Sequence, residues 1–156
     1  MIDRRRAGIA GLAASASVFV SLLMHEGYSD NAIVPVPGDV PTIGFGTTEG
    51  VKPGDHITAP RAVARALVDV QKFEGALKTC IKVPLAQYEY DAYVSLAYNI
   101  GSGAFCGSTL VKNLNAGDYD AACLAILSWD KFKGKPLRGL TIRRQAEYKM
   151  CIGAPT

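Results

Sequence analysis

The chain has 156 residues, 49% hydrophobic and 20% charged, which is enough for one domain with a buried core and too apolar for a disordered chain. A net charge of +3, with no basic stripe interleaved with aromatics, gives no basis for nucleic-acid binding. Cys80, Cys106, Cys123 and Cys151 form no CxxC pair, and neither His25 nor His56 stands at zinc-ligand spacing from them, so no metal is expected.

Asp3 and a cluster of Arg4, Arg5 and Arg6 precede an uncharged run from Ala7 to Met24. As a helix that run spans about 27 Å, just short of the roughly 30 Å hydrocarbon core of a bilayer. Ile9, Leu12, Val18, Phe19, Val20, Leu22 and Leu23 contribute about −2 to −4 kcal/mol to insertion, before Gly and Ser subtract from it. Three readings follow. The favoured one is a weak, removable membrane anchor, with the arginines keeping the N-terminus cytoplasmic. A first core helix comes next; it suits the small residues but not the absence of a polar face. A cleaved signal peptide ending at Ala14-Ser15-Ala16 comes last, because the stronger apolar stretch would follow the cut.

From Ile33 to Gly46, prolines and glycines stand among β-branched residues, which predicts short strands and a turn. Gly50 to Asp55 reads as a loop. Thr58 and Pro60 start a helix whose apolar positions run from Ala62 to Leu77. Further helices are expected from Gln87 to Asn99, from Ser108 towards Gly117, after Asp118, and from a Thr141 cap to Gly153. Lys131, Lys133 and Lys135 read as a solvated loop. The expectation is an α+β chain, mostly helical, with one small β-element after the first helix and no linker or repeat.

Chemistry concentrates at that β-element. Glu26, in His25-Glu26-Gly27, is the first carboxylate after Asp3. At the end of an apolar helix it is expected to be partly desolvated, as a general acid for glycoside hydrolysis requires. The ordinary reading of Glu26 alone is a solvated acid ending a helix. The following Pro41-Thr42-Ile43-Gly44-Phe45-Gly46-Thr47-Thr48 changes that. Together HEG and PTIGFGTT resemble the phage-type lysozymes of glycoside hydrolase family 24. Tyr98-Asn99-Ile100-Gly101, Ser108-Thr109-Leu110, Asn115-Ala116-Gly117-Asp118, Trp129 and Gly139-Leu140 with Arg143, Arg144 and Glu147 extend the resemblance over nearly the whole chain.

The resemblance implies a single lysozyme-like domain over residues 1–156: an N-terminal helix, a small β-hairpin lobe and a C-terminal helical lobe. It implies a muramidase endolysin that cleaves the β-1,4 bond between N-acetylmuramic acid and N-acetylglucosamine in peptidoglycan. Glu26 matches the family acid, and Thr42 matches the threonine that helps hold the attacking water. The second carboxylate departs from the pattern. Where the family places Asp or Cys, this chain has Pro35, and Glu26 and Thr42 stand one residue further apart. Asp39, at the turn of the rebuilt loop, is the candidate for that role, and Asp30 the reserve; an ordinary turn residue is the competing reading of Asp39. Inversion would place the two carboxylates roughly 6.5 to 9.5 Å apart. Gly44, Tyr98, Asn99 and Arg143 are the expected substrate contacts, with packing or capping the competing role for Tyr98 and Arg143. No cofactor is needed.

Export follows from the same resemblance: tethering to the inner membrane through residues 7–24, then release to the periplasm as a monomer, in the signal-anchor-release manner. The cleft would assemble only once that helix left the bilayer. In the periplasm the cysteines would pair. Of three possible connectivities, we favour Cys80–Cys106 and Cys123–Cys151, the latter joining the last two long helices. Competing functions are a peptidoglycan-binding module with weak or no catalysis, a lytic transglycosylase, and a protein whose N-terminal helix permeabilises membranes.

Overall fold

The apolar run near the N-terminus does not form one helix. In the computed structural model, which describes residues 5–155, a 3-10 turn covers Ile9–Gly11 and helix α1 covers only Ala16–Glu26. The expected helix from Ala7 to Met24 is corrected accordingly; Asp3 and Arg4 lie outside the described residues. The cause is long-range. Ala7 exchanges both backbone bonds with Leu85, at 2.8 and 2.9 Å. The amides of Ala14 and Ser15 donate to the carboxylates of Glu74 (2.6 Å) and Asp91 (2.9 Å). Backbone groups satisfied from outside have no need of a helix. The Ser15 hydroxyl then accepts from Val18 N at 3.2 Å and starts α1. Gly27, at φ 68°, ends it, donating its N–H to Leu23 O at 3.1 Å. Among the described residues no helix is long and apolar enough to cross a membrane.

Contacts divide the chain into two units, Phe19–Lys72 and the segment ending at Val18 together with Phe73 onward. In the first unit, strand β1 (Ser29–Ile33) pairs antiparallel with β2 (Thr42–Gly44), Ser29 opposite Gly44 and Ile33 opposite Thr42, with an irregularity between. Asn31 bridges to His56, and Ile43 to Thr47. The apolar centre is Ile43, Val51, Ile57 and Ala62, with Ala32 and Phe45 against it. Ala62 belongs to helix α2 (Ala59–Cys80), which carries Ala62, Ala66, Val70 and Leu77 as its buried positions; these belong to the period-3.6 stripe read from the sequence, whose Val63 and Leu67 are instead exposed.

The second unit is built on helix α3 (Gln87–Ile100), buried without a break from Glu89 to Ala97. Helices α4 (Ser102–Cys106), α5 (Thr109–Asn115), α6 (Tyr119–Ala125) and α7 (Arg138–Cys151) follow. Ser108 and Asp118 cap α5 and α6, accepting from Val111 N (3.3 Å) and Ala121 N (3.0 Å), as expected. Thr141 is not the cap of α7. The helix begins at Arg138, and the Thr141 hydroxyl instead bonds Asp130 Oδ2 at 3.2 Å. The expected lysine loop is a small hairpin, β3 (Lys131–Phe132) against β4 (Lys135–Pro136). Both favoured disulfides are formed, Cys80–Cys106 and Cys123–Cys151.

Candidate active site

Glu26 is the last residue of α1 and is half-buried. The turn after β2 lies beside it. Gly46, at φ 82°, approaches so closely that a Cβ there would lie 3.0 Å from Glu26 Oε2 and 3.4 Å from its Cδ. The turn is tight. Ile43 and Thr47 exchange backbone bonds at 2.9 and 3.0 Å, enclosing Gly44-Phe45-Gly46. Both glycines have positive φ, 64° and 82°, which L side chains rarely adopt. The G-x-G spacing therefore has a backbone reason. Gly44 has a packing reason as well: it is buried, and a Cβ there would meet Ala62 Cβ at 3.0 Å. Tyr28 and Phe45 cover this corner with ring centroids 5.4 Å apart, and the Tyr28 hydroxyl donates to Ile57 O at 3.1 Å.

Thr42 opens β2 and is half-buried, and its hydroxyl donates to Val40 O at 3.3 Å. Asp39 stands exposed at the end of a turn closed by its own amide on Val36 O at 2.9 Å. One of its carboxylate oxygens accepts from Val40 N at 2.8 Å. Asp30 is exposed in β1, takes a 2.7 Å bond from Asn31 Nδ2, and is tied to Ile57 N through its backbone oxygen. Glu26, Asp39, Thr42 and Gly44 thus belong to one unit.

Tyr98, Asn99 and Arg143 belong to the other. The Tyr98 ring lies 5.2 Å from that of Phe73. Asn99 is exposed, its oxygen accepting from Arg144 Nη1 at 2.8 Å. Arg143 is buried; it pairs with Glu147 at 3.3 Å and donates to Ser95 O at 3.3 Å. Arg144 meets the same carboxylate through a hydrogen bond from Nη2 to Oε1 at 3.0 Å and an ion-pair contact of Nε with Oε2 at 2.6 Å, and burial lowers its pKa while Glu147 opposes that. Charges taken out of water must be paired, and Glu147 does this for both arginines. Sequence reasoning passed over Thr47 and Asp69, which are bonded to each other at 2.6 Å beneath the same turn. The only available signal was a hydroxyl within an otherwise glycine-rich motif.

A family profile described as Phage lysozyme matches residues 24–147. An endolysin of Acyrthosiphon pisum secondary endosymbiont phage 1 is 48% identical over 110 residues, covering 68% of this chain and 75% of that one. A SAR-endolysin of Pseudomonas phage phiKMV is 37% identical over 144 residues, 90% of this chain and 89% of that one. Among solved structures, a point mutant of P22 lysozyme matches with a TM-score of 0.76 and 35% identity, covering 90% of this chain and 99% of that one. A match running from before Glu26 to Glu147, with relatives at this identity, means that the chain belongs to the phage lysozyme family: it is a glycoside hydrolase, a muramidase endolysin acting on bacterial peptidoglycan.

Proposed function

We propose that Glu26 is the general acid of this muramidase and protonates the glycosidic oxygen between N-acetylmuramic acid and N-acetylglucosamine. The observation that carries this is the seating of the Glu26 carboxylate against Gly46. A half-buried acid held at a helix end beside exposed chain has both the reach and the restricted solvation that proton donation needs. Thr42 donates its proton to Val40 O, which leaves the oxygen's lone pairs to accept from water, and it serves to hold the nucleophile. Asp39, exposed on the β1–β2 loop, is the proposed base that activates this water; Asp30, which lies in strand β1 and not on that loop, is the reserve. Tyr98 and Asn99 are the proposed saccharide contacts. Arg143 is assigned to the buried ion-pair cluster around Glu147.

The route to the substrate is part of the proposal. The chain is exported, held at the inner membrane through residues 7–24, and released to the periplasm as a monomer. The relative named a SAR-endolysin supports this, as do two disulfides, which persist in oxidising compartments. The burial of Val18 and Leu22, 2% and 1% exposed, and the hydrogen bonds that dock the preceding segment support a released form in which this segment packs on the protein.

Turbidity loss of outer-membrane-stripped Gram-negative cells, with product masses, tests the chemistry. Wild type should clear and release a hydrated reducing sugar, and Glu26→Gln should be inactive. Asp39→Asn should fall by on the order of a hundredfold or more if Asp39 is the base. Clearing by Glu26→Gln, or anhydro products from wild type, would refute the acid assignment or the hydrolytic route respectively.

A further inference from the structure

The turn that seats Glu26 is itself anchored at one side chain. Thr47 closes the turn through its two backbone bonds with Ile43. Its side chain points inward: the residue is 1% exposed, and its hydroxyl donates to Asp69 Oδ2 at 2.6 Å. Asp69 lies in α2, the helix that also presents Ala62 to Gly44, where the contact leaves no room for a Cβ. Phe45 holds the middle of the loop by packing against the apolar centre and Tyr28, but Gly46 has no side chain of its own to fix it. Gly46, which meets the Glu26 carboxylate, is held on its other side by its neighbour Thr47, which the charge-assisted bond to Asp69 fixes. Such bonds are short and about twice as strong as neutral ones, and a reacting group must be held within about 0.5 Å by its supports.

We propose that Asp69 and Thr47 are positioning residues for the general acid: Asp69 fixes Thr47, Thr47 fixes the Ile43–Thr47 turn, and the turn sets where the Glu26 carboxylate rests. This rests on the reading of Glu26 as the acid. It assigns to α2, outside the glycine motif, a share in the rate of the chemical step. In this role neither residue needs to touch substrate. What they supply is geometry, so their loss should appear in kcat and not in KM.

The test uses the full chain and purified sacculi. Thr47→Ser keeps the donor and the charge-assisted bond and should retain kcat within about twofold, while Asp69→Asn keeps an acceptor without the charge and should lose kcat by less than Asp69→Ala does. Thr47→Val and Asp69→Ala lose the bond and should lower kcat by on the order of tenfold to a hundredfold, with KM unchanged. Circular dichroism melts fix an assay temperature at which every variant is folded; if Thr47→Val does not fold, Asp69→Ala carries the comparison. The proposal is overturned if the bond-breaking variants, folded at that temperature, keep wild-type kcat or change only KM, or if the conservative pair loses as much as they do. Glu26→Gln runs alongside. If it remains active, the reading of Glu26 fails; if it is dead while Thr47→Val and Asp69→Ala match wild type, only the positioning role fails.

Discussion

Gly46 does two things that a residue with a side chain does at that position only at a cost. It adopts φ 82°, and it leaves the space into which the Glu26 carboxylate fits. Alanine there has a backbone cost of about 1 kcal/mol. Its Cβ would stand 3.0 Å from Glu26 Oε2, inside contact distance. The obstructing atom is the end of a side chain with freedom to move, so the protein should tolerate the methyl by displacing the carboxylate. Gly46→Ala is therefore expected to lose activity on the order of a hundredfold while its urea midpoint shifts by no more than about 1–2 kcal/mol of stability. Gly44→Ala should do the reverse. Its Cβ would press on Ala62 in helix α2, and overpacking against a helix costs about 1–3 kcal/mol. Turbidity assays and urea melts of the pair separate the two glycines of one motif by function. A Gly46→Ala enzyme that clears cells at the wild-type rate would remove the basis for placing the acid there.

At the scale of elements, local signals were legible and long-range ones were not. Ser108 and Asp118 are caps because a side-chain oxygen three residues before an amide satisfies it wherever the helix lies, so the sequence alone located α5 and α6. Helix α2 was legible from its apolar period. Thr141 was misread because the start of α7 is set from outside the helix: Leu137 N donates to Asp130 O at 2.9 Å across the β3–β4 hairpin. That hairpin was hidden by its lysines, although Lys133 and Gly134, at φ 50° and 79°, form the positive-φ pair that a tight hairpin turn needs. The N-terminal run misled for the same reason as Thr141. Its course is set by Glu74, Glu89 and Asp91, far along the chain. Glu89, 2% exposed, takes Arg6 Nη2 at 2.8 Å and Nε at 3.1 Å, and Ala86 N at 2.8 Å. Arg6 also lies over the Tyr119 ring, 3.5 Å from its centroid. Arg6→Ala removes the cation and leaves a buried carboxylate that, among the described residues, keeps the bond from Ala86 N. The expected loss is about 1–3 kcal/mol, read as a lower urea midpoint, with kcat on sacculi unchanged at temperatures where the variant is folded. An unchanged midpoint would mean that the strap contributes nothing to stability.

For the molecule as a whole, the cysteines and tyrosines set how stability responds to its surroundings. The disulfides close chain separations of 26 and 28 residues, and loops of that size restrict the unfolded chain by about 3–4 kcal/mol each. With these crosslinks in place, alkaline pH should act through ionisation. Burial pushes the Tyr90 hydroxyl well above its ordinary value, and its bond to Glu74, 2.8 Å, pushes it in the same direction. Burial raises Tyr93 as well. A buried phenol that resists ionisation holds its proton in the folded state after the unfolded chain has released it. Stability is therefore unaffected below the ordinary tyrosine pKa of about 10. Above it, stability falls with rising pH by up to about 1.4 kcal/mol per pH unit for each such tyrosine, until the folded-state pKa is passed. Tyr90→Phe removes one of the two. At neutral pH it forfeits the Glu74 bond, at a cost of about 1 kcal/mol. Between about pH 10 and 11.5 its stability should fall less steeply than wild type, by up to one tyrosine's share of the slope. Urea midpoints of the two proteins measured at half-unit steps give the comparison directly, because lysines and surface groups titrate alike in both. Parallel alkaline limbs would show that Tyr90 ionises as freely in the folded protein as in the unfolded chain, and that the bond to Glu74 does not hold its proton.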